Sequence, residues 1–372
     1  MQYQQVCLEA LAYTLPEERV TSDEIEARLA PLYTRLRLPA GRLELMTGIR
    51  ERRFWPVGTL PSSQSIESCE KVIACSGIER SEIGALVHAS VCRDHLEPAT
   101  ACRVHHALGL PAECQIFDMS NACLGILNGM LAVANMIELG QIRAGLVVGS
   151  EGSRQLVETT IDTLNRDLNL SRDDVKLAVA SLTIGSASCA VLLVDRRLSR
   201  TQNRILAATA RANTQFHHLC CSGQDEAVAD GMSPLMRTDA ERLLEAGIAT
   251  GAETFTTFLA DIGWQRDQID RTFCHQVGSG HRKRMLDVLG LDAARDFTTL
   301  EVLGNTGSVA LPITMAMAAE QGLLTAGDQV ALLGIGSGIN SLMIGVEWQH
   351  ALVQAAESPA VEAESPAIAG AD

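Results

Sequence analysis

The chain has 372 residues, 47% of them apolar but only 3% aromatic, and a formal charge of −15. Such a composition describes a soluble body with an aliphatic core, one large domain or two of ordinary size, and the acidic balance disfavours nucleic acid as a partner. No apolar run approaches the roughly 18–20 residues needed to cross a bilayer, so no membrane span is expected.

The first residues, MQYQQVCLEALAYTLPEERV, set glutamates among the apolar positions and lack the basic start of a secretory leader. A cytoplasmic protein is expected. Eleven cysteines, an odd number with no CxxC pair, fit free buried thiols better than a disulfide framework. The adjacent pair Cys220-Cys221 is the redox candidate among them. The nine histidines lack metal-ligand spacing, so neither a metal nor another cofactor is expected. Arg50, Arg52 and Arg53 cluster, as do Arg282, Lys283 and Arg284; each group reads first as a solvated basic face.

In chain order, IGALVHASV (83–91) predicts a buried strand, then come a helical stretch, LGL, and a second strand, CQIFDM (114–119). A helix starts near Cys123, and after an AG turn GLVVGS (145–150) is again a strand. Residues 152–182 are polar and helical in pattern. SASCAVLLVD (186–195) and NRILAATARA (203–212) read as a strand pair closing this region. An amphipathic helix is expected over 233–262. The earlier order then returns: DRTFCHQV (270–277), LGL, ARDFTTL (294–300), a helix from near Asn305, an AG turn and QVALLGIGS (329–337). The tail, 351–372, is rich in Ala, Glu, Ser and Pro and is expected to be disordered.

Matches at a nearly constant offset tie the two runs together. ELGQIRAG (138–145) resembles EQGLLTAG (320–327), and that spacing also pairs Cys92 with Cys274, Cys123 with Asn305 and Gly125 with Gly307. Strands alternating with helices imply βαβ units and parallel strands. The expected architecture is an α/β fold of two duplicated βαβ halves in a five-layer α/β/α/β/α sandwich. Its units are residues 1–212, carrying the cysteine and the polar insertion, 213–350, carrying the histidine and asparagine, and the tail.

Chemistry concentrates where the repeat places it. Cys123 follows a strand and precedes a helix, where the helix dipole favours thiolate, and Gly125 permits close approach of another segment. By itself Cys123 reads equally well as a core cysteine at a tight helix start. His275 ends a strand before glycines, and Asn305 lies between glycines before a helix; both can donate to a carbonyl oxygen gaining negative charge. Papain-like proteases share this residue set but not the duplicated βαβ pattern. GIGSG (334–338) is not a dinucleotide loop, because a strand-like segment follows it rather than a helix; its backbone amides suit an oxyanion hole.

With SNACLG, HQ, GNTGS, GIGSG and TGIRERRFW (47–55) in place, the chain resembles the thiolase superfamily, specifically its β-ketoacyl synthase III group, over about residues 3–348. The resemblance implies a thiolase fold, a homodimer and Cys123 as the acylated nucleophile. It further implies that His275 and Asn305 activate the second substrate and that the Cys123 and Gly338 amides form the oxyanion hole. SVCRDHLEPATA (90–101) and ALLGIGSGIN (331–340) look most like the OleA-type branch, which joins two fatty acyl-CoAs head to head to a 2-alkyl-3-keto acid. There a glutamate, here Glu97, enters the partner subunit's site as base. An acyl thioester with no carboxylate to lose needs such a base, and a carboxylate removed from water is a stronger one.

Two departures from the initiating synthases are visible. Arg42 and Met46 stand where their Trp and Arg clamp adenine, and Gly280 stands where a basic residue serves carrier-protein docking; Arg282, Lys283 and Arg284 could substitute, which keeps an acyl carrier protein open as a partner. Acyl-CoA is the expected substrate. The alternatives are a β-ketoacyl-[acyl-carrier-protein] synthase III using a malonyl thioester, and a non-catalytic thiolase-fold subunit.

Overall fold

The computed structural model describes residues 1–223 and 235–354. A ten-stranded sheet carries the molecule, in the order Arg271–Cys274, Gln329–Gly336, Asn340–Glu347, Arg204–Ala212, Val6–Thr14, Ala187–Asp195, Ala144–Glu151, Ile83–Ala89 and Gln115–Met119, with Val353–Gln354 set beside Val6–Thr14. Its two halves join where Cys7 stands opposite Arg204. The strand Ile83–Ala89 pairs in parallel with both Gln115–Met119 and Ala144–Glu151, and Arg271–Cys274 pairs in parallel with Gln329–Gly336. These are the βαβ units the sequence pattern calls for.

Period-two alternation builds the layers. In the first half Ala85 and Val87 face a central core, whereas Leu86 faces an outer one shared with the helices Pro61–Ser76 and Thr100–Leu108. In the second half Val330 and Leu332 face the same central core, and Ala331 and Leu333 face the helices Ala240–Ile262 and Ser279–Leu289. The helices Gly125–Glu138 and Ala310–Glu320 fill the shared middle. The latter is apolar on nearly every side, as a helix enclosed between two sheets must be, and its Pro312 falls in the first turn, where the missing N–H has no partner to lose. Helix, sheet, helices, sheet, helix is the five-layer arrangement.

Three expectations change. Residues 186–195 and 203–212 are both strands but not a pair: Val6–Thr14 lies between them, and Arg204–Ala212 is in register with Asn340–Glu347 in the second half. ARDFTTL forms no strand. Only Asp296 bridges Thr272, and the segment is held by side chains instead: Gln276 Oε1 accepts from Thr298 Oγ1 and from the Thr299 amide, and Asp296 accepts from Thr272 and Arg282. Finally, the helix expected over 233–262 begins at Ala240, its Arg242 amide donating to Asp239; residues 233 and 234 lie outside the described residues, as does most of the expected disordered tail.

Candidate active site

Both helices of the central layer begin at the same end of the sheet, and they touch there. A Cβ on Gly125 would come within 3.4 Å of Ser308 Cβ and 3.2 Å of Ala89 O. Gly125 is therefore required by close approach, as its position in the sequence implied. Ahead of it, Ala122 has a φ of 46°, a left-handed conformation that costs an L-residue roughly 1–2 kcal/mol. This turn presents Cys123 between the strand Gln115–Met119 and its helix.

On the other side of Cys123 lies the hairpin turn 337–339. Gly336 is close enough that a Cβ there would stand 3.7 Å from Cys123 Cβ, and one on Gly334 would press to 2.6 Å against both Leu124 and Leu127. The glycines of GIGSG thus make room for the start of the helix Gly125–Glu138, and the strand Asn340–Glu347 follows them. Asn340 Nδ2 donates to Asn121 Oδ1 (3.2 Å) and to Ser337 O (3.2 Å), and Asn121 Nδ2 donates to Asn128 Oδ1 (2.8 Å). These bonds lock the turn onto the cysteine loop.

Cys123 keeps part of its surface open, yet its sulfur is deeply enclosed. Burial pushes the thiol up to about 12, with Cys220 and Glu151 adding to the rise, while the amides of Cys123 itself and Ser337 oppose it. The thiolate expected from the helix terminus is overridden by desolvation in the free chain. Cys123 is thus a neutral thiol beside two N–H donors. Gly338, proposed from sequence as the second oxyanion donor, is the next residue of that turn.

His275 follows the strand Arg271–Cys274, and its amide donates to Leu333 O (3.2 Å). It thereby sits one strand spacing, about 4.8 Å, from the stretch that leads to Gly336 and Cys123. Both ring nitrogens are buried without a hydrogen-bond partner among the described residues, and burial with nearby His281 pushes the imidazole down to about 4. A neutral ring with two free nitrogens can take a proton at one and donate from the other.

Asn305 is fixed by its backbone. Its amide donates to Thr183 O (2.9 Å), its carbonyl accepts from the Gly185 amide (2.9 Å), and its Oδ1 accepts from the Gly307 amide (3.0 Å). The Nδ2 group donates to no partner among the described residues and is left available. The two loops interlock so tightly that a side chain at Gly185 would collide with Leu303 O, and one at Gly304 with Thr183 O. Arg52 braces them: its guanidinium is buried without a carboxylate and donates to Ser22 Oγ, Val20 O and Leu182 O, and burial pulls it down to about 10. Of the cluster that read as a solvated basic face, Arg50 is exposed and pairs with Glu301, whereas Arg52 is an internal strut. Arg282 is likewise engaged, to Asp296 at 2.6 Å, which leaves Lys283 and Arg284 pointing outward.

Glu97 lies elsewhere. It is exposed on the loop between Ile83–Ala89 and Thr100–Leu108, beside the exposed Val91 and Leu96. Its loop adjoins the outermost strand, Gln115–Met119, whose outer edge is unpaired among the described residues. All eleven cysteines are free. The sequence reading missed one central group. Glu151 ends an otherwise apolar strand, is 4% exposed, and sits between the cysteine and asparagine motifs. A charged residue closing such a strand was the available signal.

Residues 117–214 match the family described as 3-oxoacyl-[acyl-carrier-protein (ACP)] synthase III, and residues 259–348 match its C-terminal counterpart. The chain is 45% identical to the acyl-CoA:acyl-CoA alkyltransferase of Shewanella oneidensis, covering 94% of this chain and 100% of that protein. To the acyl-CoA:acyl-CoA alkyltransferase of Xanthomonas campestris pv. campestris it is 33% identical, over 94% of this chain and all of the relative. A crystal structure of Xanthomonas campestris OleA with a cysteine replaced by alanine superimposes with a TM-score of 0.88 at 32% identity, covering 94% of this chain and 98% of that one. That protein has also been solved with a glutamate or a histidine replaced, and with cerulenin bound. Its replaced glutamate and cysteine are separated along the chain by the same interval as Glu97 and Cys123.

Proposed function

The chain belongs to the acyl-CoA:acyl-CoA alkyltransferase family of synthase III-like, carbon–carbon bond-forming acyltransferases, and from that premise we propose how its residues join two fatty acyl-CoAs head to head to a 2-alkyl-3-keto acid. The observation that carries the reading is the neutral Cys123 thiol set against hairpin amides, with the partnerless His275 ring on the adjoining strand and the free Asn305 amide heading the facing helix.

In the first half-reaction Cys123 Sγ attacks the carbonyl of one acyl-CoA. Its proton passes to His275, the amides of Cys123 and the 337–338 turn hold the oxyanion, and CoA leaves as the thiol on receiving that proton. In the second, Glu97 of the partner subunit removes a Cα proton from another acyl thioester while His275 and Asn305 donate to the enolate oxygen. The carbanion attacks the Cys123 thioester, a carbon–carbon bond forms, and the Cys123 thiolate departs and is reprotonated. Hydrolysis of the resulting β-keto thioester gives the acid. Every group in these steps belongs to the protein or the substrates, so no metal or other cofactor is called for.

A homodimer is part of this reading, since Glu97 is solvent-exposed in a single chain. The half-buried Ile116, Phe117 and Met119 on an unpaired sheet edge, next to exposed Val91 and Leu96, support pairing along that edge. A carrier protein is less well provided for, because Arg282 is already engaged. Among the described residues no helix is long and apolar enough to cross a membrane; a cytoplasmic location suits CoA substrates and free thiols.

The reading is tested by giving the purified protein a long-chain acyl-CoA alone and analysing products by mass spectrometry. A β-keto acid, or the ketone it yields, without malonyl thioester is the expected outcome. Strict dependence on a malonyl-carrier protein would make the chain an initiating synthase, and the lack of any Cys123 adduct would make it a non-catalytic subunit.

A further inference from the structure

Glu151 closes the strand Ala144–Glu151 and spends both carboxylate oxygens on two other segments. Oε1 accepts from the Ser308 hydroxyl (2.6 Å), the Ser308 amide (3.2 Å) and the Val91 amide (3.1 Å); Oε2 accepts from the Cys92 amide (3.2 Å). Gly307 is close enough that a Cβ there would stand 3.1 Å from the carboxylate. Val91 and Cys92 lie near the start of the loop that carries Glu97. Gly307 and Ser308 close the turn that holds Asn305. A buried carboxylate satisfied by four donors is rigid, and removing its charge leaves several donors without an acceptor.

We propose that Glu151 is a positioning residue for the second half-reaction, holding the Asn305 turn toward its own site and the Glu97 loop toward the partner's. This rests on the roles proposed above, in which Asn305 and Glu97 serve enolate formation rather than acylation. Among the described residues the Glu151 carboxylate hydrogen-bonds Val91, Cys92 and Ser308 and none of Cys123, His275 or Asn305. It joins three segments that are remote in sequence, so a change there acts on two functional side chains at once. Replacement by glutamine keeps the volume but sets an amide NH₂ against either the Cys92 N–H or the Val91 and Ser308 N–H groups, according to which oxygen it replaces. Ser308→Ala removes the shortest of Glu151's bonds, together with the hydroxyl's contact to Ala89 O (3.0 Å), and leaves the Val91, Cys92 and Ser308 amide bonds in place.

Two measurements on the full chain decide the matter, each on wild type, Glu151→Gln and Ser308→Ala. Hydrogen–deuterium exchange across 90–99 and 304–309 reads the positioning without any substrate. In Glu151→Gln both segments should exchange at least ~10-fold faster, with the helix 125–138 unchanged, and Ser308→Ala should loosen 304–309 alone. Rapid-quench kinetics with a long-chain acyl-CoA separates the half-reactions. The first release of CoA should stay within about threefold of wild type, while condensation falls by ~30-fold or more in Glu151→Gln and by less in Ser308→Ala. Unchanged exchange in both segments overturns the proposal, as does an equal fall in both half-reactions. If wild type releases no CoA, the Claisen reading fails by itself, and exchange still decides whether Glu151 holds the two segments. Should Glu151→Gln not fold, Ser308→Ala decides: loosening of 304–309 with a selective loss of condensation supports the proposal, and wild-type behaviour on both readouts overturns it.

Discussion

The two halves of the molecule place the same backbone at the same spot and give it different chemistry. In the first, the turn before the central helix presents a thiol, Cys123; in the second it presents a carboxamide, Asn305, pinned by its own backbone bonds. The strand exits diverge as well. Cys92 leads outward onto the exposed loop of Glu97, whereas Cys274, its counterpart, leads to the buried ring of His275. One half therefore carries the thiol and sends a carboxylate outward, the nucleophile and base of the proposed reaction, and the other carries the imidazole and carboxamide proposed as donors. Duplication fixes where side chains stand; divergence, as between Cys123 and Asn305, decides their chemistry.

Breaking the comparison at its centre should have the largest effect. Cys123→Ala should abolish the acyl adduct seen by intact-protein mass spectrometry and lower condensation more than ~1,000-fold, because no other described group substitutes for the sulfur. Glu97→Gln should lower condensation by ~100-fold or more while single-turnover CoA release changes only a few-fold; equal loss in both would remove Glu97 from the role of base. Gly185→Ala should disturb the asparagine side alone. The new methyl group meets Leu303 O, so thermal unfolding should report a loss of at least ~2 kcal/mol, and condensation should suffer more than acylation of Cys123.

How much of this was legible beforehand follows the same division. Cys123 and Asn305 stood out because each is a polar residue at the duplicated strand-to-helix turn, and a repeat is visible along the chain. His275 and the glycines around the site were legible for a similar reason: local spacing limits what they can do. Glu151 was not, because its meaning lies in donors from Val91, Cys92 and Ser308, which only the fold brings together. The strand expected at 294–300 failed for a related cause. Thr298 and Thr299 have strand propensity, but Gln276 satisfies them from its side chain and the ladder is not needed. The thiol's protonation state was misjudged because a helix terminus is a local feature and burial is a global one.

The last expected effect is on pH. Burial pushes His275 down to about 4, against an ordinary value of about 6.5 in the unfolded chain. Above about pH 6.5 the ring is neutral in both states and contributes no pH dependence. As pH falls toward 4 the unfolded chain binds the proton first, so stability drops, by up to roughly 3 kcal/mol across that window. Urea unfolding of wild type and His275→Gln at a series of pH values checks this: the variant should show a shallower decline between pH 6.5 and 4.

A pulse and chase on Cys123 tests the central step most directly. The protein is acylated with an acyl-CoA labelled with carbon-13 at its carbonyl, freed of excess, and chased with unlabelled acyl-CoA. Transfer of the acyl group from sulfur to a carbanion puts the labelled carbon at the 3-keto position of the product, with an unlabelled carboxyl group. Label recovered only as the free fatty acid, beside an unlabelled condensation product, would contradict a Claisen reaction through Cys123.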